Sequence, residues 1–296
     1  MLVNATNLDA LRVGYSTKYT DGLKIADKDW EKIATVIPAG TKEQKYGWLS
    51  KIPGVREWIG PRVIQNISQG DYSIKEKALE LTLGVDRDDI ETDNLGFYSK
   101  LFEMMGESTG AEFARMVYAQ LASGFTTNCY DGQFFFDIDH PVLDAGGNVI
   151  NVANTDGGAG TAWFLMDCSR ALKPIILQKR KDFEFVAMDD LTTENVFKNK
   201  EFWYGADARA NTGFGFWQMA WGSKQALTPA NYGIARAALI GQKGDYGRPL
   251  GFNKFTLVVA ATQESAARQI LNSEYGAGGV TNEWKGTAEL LVTPWL

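Results

Sequence analysis

The run from Asp93 to Phe125, DNLGFYSKLFEMMGESTGAEFARMVYAQLASGF, constrains this chain more than any other. Leu95, Tyr98, Phe102, Met105, Thr109, Phe113, Met116, Val117 and Leu121 recur at spacings of three and four, which draws one apolar stripe down a helix. Asp93 or Asn94 is placed to cap the start, and Ser123-Gly124 supplies the stop. The spacing predicts one helix of about thirty residues and ~45 Å. A helix of that length with a single apolar face needs a layer lying along it. Gly106 and Gly110 sit inside it, each costing roughly 1 kcal/mol against alanine, and they predict a bend there.

The chain before the helix is thinner. Residues 1 to about 45 read as a short helix from Thr6 or Asn7, with Leu8, Leu11 and Tyr15 as its apolar face, and then a polar segment ending in PAGTKEQK. Such a segment buries little by itself and is expected to lie as an arm against something else. From Tyr46 the pattern changes. Leu79, Leu81, Leu83 and Val85 alternate with Glu80, Thr82, Gly84 and Asp86, a half-buried strand. Ahead of it RVIQ and YSIK flank the tip NISQGD, where Gly70-Asp71 suits a turn, so a long antiparallel hairpin is predicted. Trp48, Ile52, Val55, Trp58 and Ile59 are many large apolar groups for so slender a feature, and they need a partner on the same subunit or on another chain.

After the helix, residues 163 to 222 hold the aromatic runs WFLMD, KPIILQ, FEFVAM, EFWYG and GFGFWQMAW, which read as strands of a sheet covering it. Beyond Ser223, LTPANYGIARAALIG reads as a helix and FTLVVAA as a buried strand. TQESAARQILNSEYG reads as a second helix with Thr262 as its N-cap candidate, and AELLVTPWL as a closing strand. Together they make a small α/β unit. At 296 residues the chain is long enough for a substantial core, and chains of this size often divide in two.

Chemistry is sparse. A formal charge of −6 argues against a protein whose task is gripping nucleic acid, since that binding rests on clustered Lys and Arg. Cys129 and Cys168 fall in no CxxC spacing and read as reduced, partly buried thiols. The N-terminus has no secretory pattern and no apolar stretch approaches the ~18 residues of a membrane span, so maturation in the cytoplasm and no membrane contact are expected. The one histidine, His140 in DIDHP, has Cys129, Asp131, Asp137 and Asp139 near it in sequence. Such a set could hold a divalent metal, but the spacing matches no HxxxH or HExxH pattern, and a hydrogen-bonded turn is the favoured reading. No GxSxG elbow supplies a nucleophile for that histidine. The acidic run DRDDIETDN puts Ile90 where a calcium loop needs an oxygen ligand, and reads as acids gathered at the N-terminus of the long helix. No catalytic, cofactor or metal site is expected.

Several phrases together resemble one family, the Mu-like phage major head subunit: YGWLSKIPGVREWIGPR, YSIKEKALELTLGVDRDDIETDNLG, CYDGQFFFDIDHP, FLMDCSRALKPIILQKRK, FKNKEFWYGADARANTGFGFWQMA, GRPLGFNKFTLVV and AELLVTPWL. They fall in the family's order and cover nearly everything from Tyr46 to Leu296. The sequence departs where Thr92 replaces a frequent acid and in the loop after His140. The resemblance implies an α+β chain in the tailed-phage major capsid fold. It implies an N-terminal arm over 1–45, an extended hairpin loop over 46–90, a peripheral domain over 91–222 with its spine helix at 93–124, and an axial domain over 223–296. Here the strand-rich block precedes the axial elements, so a permuted connection is expected. The function implied is a major capsid (head) protein that self-assembles into the icosahedral shell around double-stranded DNA. Partners would be other copies of itself, a scaffold protein and portal during assembly, and a decoration protein, with DNA enclosed but not read. Trp48, Arg56, Trp58, Arg62, Lys75 and Lys77 are the candidates for contact between subunits. The alternatives are a carbohydrate-active enzyme using paired carboxylates, which rests on 36 aromatics and 36 acids alone, and a monomeric binding module.

Overall fold

The structure, a computed structural model, describes residues 2–50, 72–92 and 96–296. In chain order, helix α1 (Ala5–Ile25) leads to strands β1 (Ala34–Pro38) and β2 (Glu43–Lys45). Strands β3 (Ser73–Lys75) and β4 (Lys77–Asp86) come next, then the short helix α2 (Arg87–Glu91) and the long helix α3 (Gly96–Ala122). A looped region carries β5 (His140–Leu143), β6 (Val149–Val152) and β7 (Thr155–Gly158) before β8 (Trp163–Asp167) and β9 (Ile175–Met188). Helix α4 (Glu194–Asn199) joins β9 to β10 (Glu201–Phe214), and β11 (Ala220–Lys224) leads to α5 (Pro229–Ile240). The two-residue strands β12 (Lys243–Gly244) and β13 (Arg248–Pro249), then β14 (Phe255–Ala260), α6 (Glu264–Leu271) and β15 (Ala288–Thr293), complete the chain.

The stripe read from the sequence is the buried face of α3: Tyr98, Phe102, Met105, Thr109, Phe113, Met116, Val117 and Leu121 are all buried. The predicted caps Asp93 and Asn94, with Leu95, lie outside the described residues. Gly106 and Gly110 have a role besides the predicted bend, and α3 runs as one helix through both. They are where α1 crosses it. A Cβ at Gly106 would collide with the Tyr19 carbonyl, one at Gly110 with the Ala26 side chain, and one at Gly22 of α1 with the Glu103 carbonyl. Backbones meet there because side chains are missing on both helices. Helix α1 is therefore longer than expected, 21 residues, with Asn4 as its cap and Leu8, Tyr15, Tyr19 and Gly22 buried. Its period was hidden because glycine, not a large apolar residue, fills part of its buried face.

Two sheets flank α3. The first has the order β1-β9-β10-β4, with β9 and β10 pairing antiparallel from Ile175↔Phe214 to Trp203↔Met188. Strand β4 adds antiparallel to β10 and keeps the predicted alternation, with Leu79, Leu81, Leu83 and Val85 turned inward and their neighbours exposed. The second sheet has the order β15-β14-β8-β11-β7. Every residue of β8 and β14 is buried, because Phe164, Met166 and Val258 face the core under α3 while Trp163, Leu165, Leu257 and Val259 face α5 and α6. The strands between 163 and 222 thus divide, against expectation: β9 and β10 cover α3 in the first sheet, and β8 and β11 join the C-terminal strands. Strand β11 itself runs across residue 222. The C-terminal strands β14 and β15 alone would leave the second sheet too narrow to bury both faces.

Two smaller expectations also change. The acidic run forms its own helix α2, capped by Asp86, whose side chain accepts from the Asp88 amide at 2.7 Å; Asp89 accepts from the Tyr98 hydroxyl of α3 at 2.6 Å. Helix α6 begins at Glu264 with Gln263 before it and no side-chain cap, while Thr262 sits in the preceding 3-10 turn Ala261–Gln263. No described helix is long and apolar enough to cross a membrane.

Candidate functional site

Tyr46 and Tyr72 stand close together on either side of the stretch 51–71, which lies outside the described residues, and the two points are fastened to each other. Strands β2 and β3 pair antiparallel, Glu43↔Lys75 to Lys45↔Ser73, and the Tyr46 amide donates to the Tyr72 carbonyl at 2.8 Å. Each tyrosine also pins this base to the first sheet. The Tyr46 hydroxyl donates to Gln178 Oε1 at 2.9 Å, and the Tyr72 hydroxyl accepts from the Phe214 amide at 2.6 Å. Burial pushes both phenols up to about 12. Ile74 and Leu49 are buried beneath, and Arg180 of β9 grips Glu76 through Nε and Nη2.

Of the six predicted contact residues, Lys75 and Lys77 stand exposed along β3 and β4, next to this base. The Lys75 carbonyl accepts from Asn211 Nδ2 at 2.7 Å, which fixes the backbone and leaves the ammonium outside. Trp48 belongs to the 3-10 turn Gly47–Ser50. Arg56, Trp58 and Arg62 lie outside the described residues, as does the stretch 51–71 of the predicted hairpin. The far end of the β9–β10 pair carries an apolar patch that pattern reasoning missed. Val186 lies opposite Gly205 and Met188 opposite Trp203, all on the outward face, and Phe197 of α4 is 87% exposed.

A second cluster lies behind α3. Cys129 Sγ donates to Asp131 Oδ1 at 3.0 Å, and His140 Nδ1 lies 2.7 Å from Asp131 Oδ2. The imidazole is fully buried and stacks on Trp217, with centroids 3.9 Å apart and planes 8° from parallel. Asp137 and Asp139 of the same sequence group take no part in it: Asp137 receives the Phe134 and Ile138 amides.

A family profile described as Mu-like prophage major head subunit gpT matches residues 8–296. The chain belongs to that family. The head subunit is 40% identical, over 305 aligned residues and 100% of both chains, to the major capsid protein of Escherichia phage Mu. It superposes on a chain of the procapsid of bacteriophage JBD30 with a TM-score of 0.87 and 40% identity, covering 99% of the head subunit and 100% of that chain. A chain from the JBD30 capsid decorated with minor capsid protein trimers gives a TM-score of 0.78 at 31% identity, covering 93% of each. The fold is accordingly the tailed-phage major capsid fold, and the head subunit is a major capsid protein of the Mu-like type and a component of the virion capsid. The carbohydrate-active reading finds no support among these likenesses.

The head subunit's loop base was partly legible. YSIKEKALELTLGVD announces strands, but nothing in KPIILQKRK marks Gln178 as the buried acceptor for Tyr46, since a glutamine closing an apolar run reads as the strand's exit to solvent. At the second cluster, burial pushes the Asp131 carboxyl up, yet hydrogen bonds from His140 and Cys129 outweigh it and leave the group below the ordinary carboxylate value. Burial, and then the Asp131 charge, push the Cys129 thiol well up. The head subunit's two cysteines are both free thiols.

Proposed function

We propose that the head subunit acts by assembly alone, forming pentamers and hexamers through heterologous contacts that close into an icosahedral shell around double-stranded DNA. The observation that carries this is the fastened base at Tyr46 and Tyr72, which gives the intervening chain one fixed root on a rigid sheet, as an arm reaching a neighbour requires. Residues 1–45 serve as N-terminal arm, 46–90 as extended loop, 91–222 as peripheral domain on the spine α3, and 223–296 as axial domain, completed by strands β8 and β11. The axial helices and strands follow the long peripheral strands in the chain. Trp48, Arg56, Trp58, Arg62, Lys75 and Lys77 bear on the neighbouring subunit. Assembly takes place in the host cytoplasm with a scaffold protein and portal, and a decoration protein binds the finished shell. The net charge of −6 keeps packaged DNA from adhering to the wall. No catalytic step is involved.

Gel filtration and electron microscopy of the purified chain, alone and with its scaffold partner, test the reading. Capsomers or megadalton shells are expected. A monodisperse small oligomer under both conditions would refute it.

A further inference from the structure

We propose that Cys129, Asp131 and His140 form a site for a thiophilic divalent cation of the zinc type. The three ligand atoms, one sulfur, one oxygen and one nitrogen, lie within 4.8 Å of one another. That mixed donor set suits zinc and excludes magnesium or calcium, which take oxygen. All three residues come from one stretch that turns back on itself. The amide of Cys129 donates to the Gln133 carbonyl at 2.8 Å, Asp131 Oδ1 accepts from the Gln133 amide at 3.1 Å, and His140 opens β5.

Two observations set the cluster apart from an ordinary hydrogen-bonded turn. The Asp131 side chain is 11% exposed, and among the described residues its only ionic partner is His140, which carries charge only when protonated. Hydrogen bonds from Cys129 Sγ, the Gln133 amide and His140 hold this carboxylate, and among the described residues no Lys or Arg pairs with it. His140 turns Nδ1 to the cluster, 2.7 Å from Asp131 Oδ2, while Nε2 on the other side of the ring is buried without a hydrogen-bond partner among the described residues. Trp217 meanwhile clamps the imidazole face to face and fixes its direction.

On binding, the metal–sulfur bond replaces the thiol proton, which leaves to solvent. An Asp131 oxygen and an imidazole nitrogen donate lone pairs, and water takes the fourth position. The present contacts of 3.0 and 2.7 Å are hydrogen-bond distances. Ligands around a tetrahedral zinc stand roughly 0.5 Å further apart than that, a shift within reach of three side chains on one loop. Such an ion would close the stretch 129–140 on itself, with His140 already stacked on Trp217, independently of how shells assemble.

The test uses the intact wild-type chain. Cobalt(II) is titrated into protein stripped with a chelator, and absorbance in the near-ultraviolet reports a sulfur–cobalt bond. Zinc retained after gel filtration is measured by elemental analysis. A thiolate–cobalt band that zinc abolishes, together with stoichiometric retained zinc, is the expected result. Cys129→Ser and His140→Gln are expected to lose the band and to weaken zinc binding by more than the ~10–100-fold that loss of a merely supporting partner costs. Folding of each variant is followed by circular dichroism. Folded wild-type protein that gives no cobalt band and keeps no zinc would overturn the proposal. So would a band that persists unchanged in folded Cys129→Ser.

Discussion

Glycine shows how a single residue type carries opposite meanings in one helix. Gly14 and Gly22 both lie in α1, but a Cβ at Gly14 meets nothing within 4 Å whereas one at Gly22 strikes the α3 backbone. Gly14→Ala is therefore expected to stabilise the chain by about 0.5–1 kcal/mol, through helix propensity and a less flexible unfolded state. Gly22→Ala is expected to cost about 1–3 kcal/mol by forcing the helices apart. Denaturant unfolding of the two variants reads the difference directly. Tyrosine gives a pH signature. Burial raises the phenols of Tyr15, Tyr46 and Tyr72 to about 12, so the folded chain holds their protons after the unfolded chain has released them. Their contribution is complete below about pH 10 and is lost as pH rises towards about 12, so unfolding midpoints measured across that window are expected to fall steeply.

At the scale of elements, the helix pair α1–α3 is held by a ring cluster. Phe102 is fully buried, stacks on Tyr15 at 4.3 Å and meets Tyr204 edge-on at 5.5 Å. Phe102→Ala is expected to cost about 3–5 kcal/mol and to speed hydrogen exchange in α1 more than in β14, which mass spectrometry of exchanged peptides resolves. Those rings also explain what the sequence made legible. Phe102 and its fellows on α3 are large, regularly spaced residues on a one-sided helix, and their period was enough to find the face. Strand β4 was equally plain because one side is wet. Strands β8 and β14 are covered on both sides, so WFLMD and FTLVVA carry no alternation to say which sheet they join. Gly22 left α1 with too thin a stripe to reveal its length. Of the buried cluster, CYDGQFFFDIDHP offered five candidate ligands, and only folding separates Asp131 from Asp137 and Asp139, since all three lie on irregular loop.

For the whole molecule, the anchored loop root makes a prediction that separates folding from assembly. Trp58→Ala changes a residue of the stretch proposed to bear on a neighbouring subunit, so the unfolding transition is expected to match the wild type while the yield of shells or capsomers, counted by electron microscopy, falls. Unchanged yield would remove Trp58 from the contacts. One further consequence follows from the length of α3. Its first half, with Tyr98, Phe102 and Met105, sits in the core beneath α1 and the β9–β10 pair, and its second half, from Phe113 to Leu121, sits in the core that reaches Phe164, Val258 and Leu291 of the second sheet. A single hydrogen-bonded rod therefore belongs to both cores, which couples the loss of one to the loss of the other. Calorimetry of the dissociated subunit is expected to show one cooperative transition with equal calorimetric and van't Hoff enthalpies, where two cores joined by a mere tether would give two.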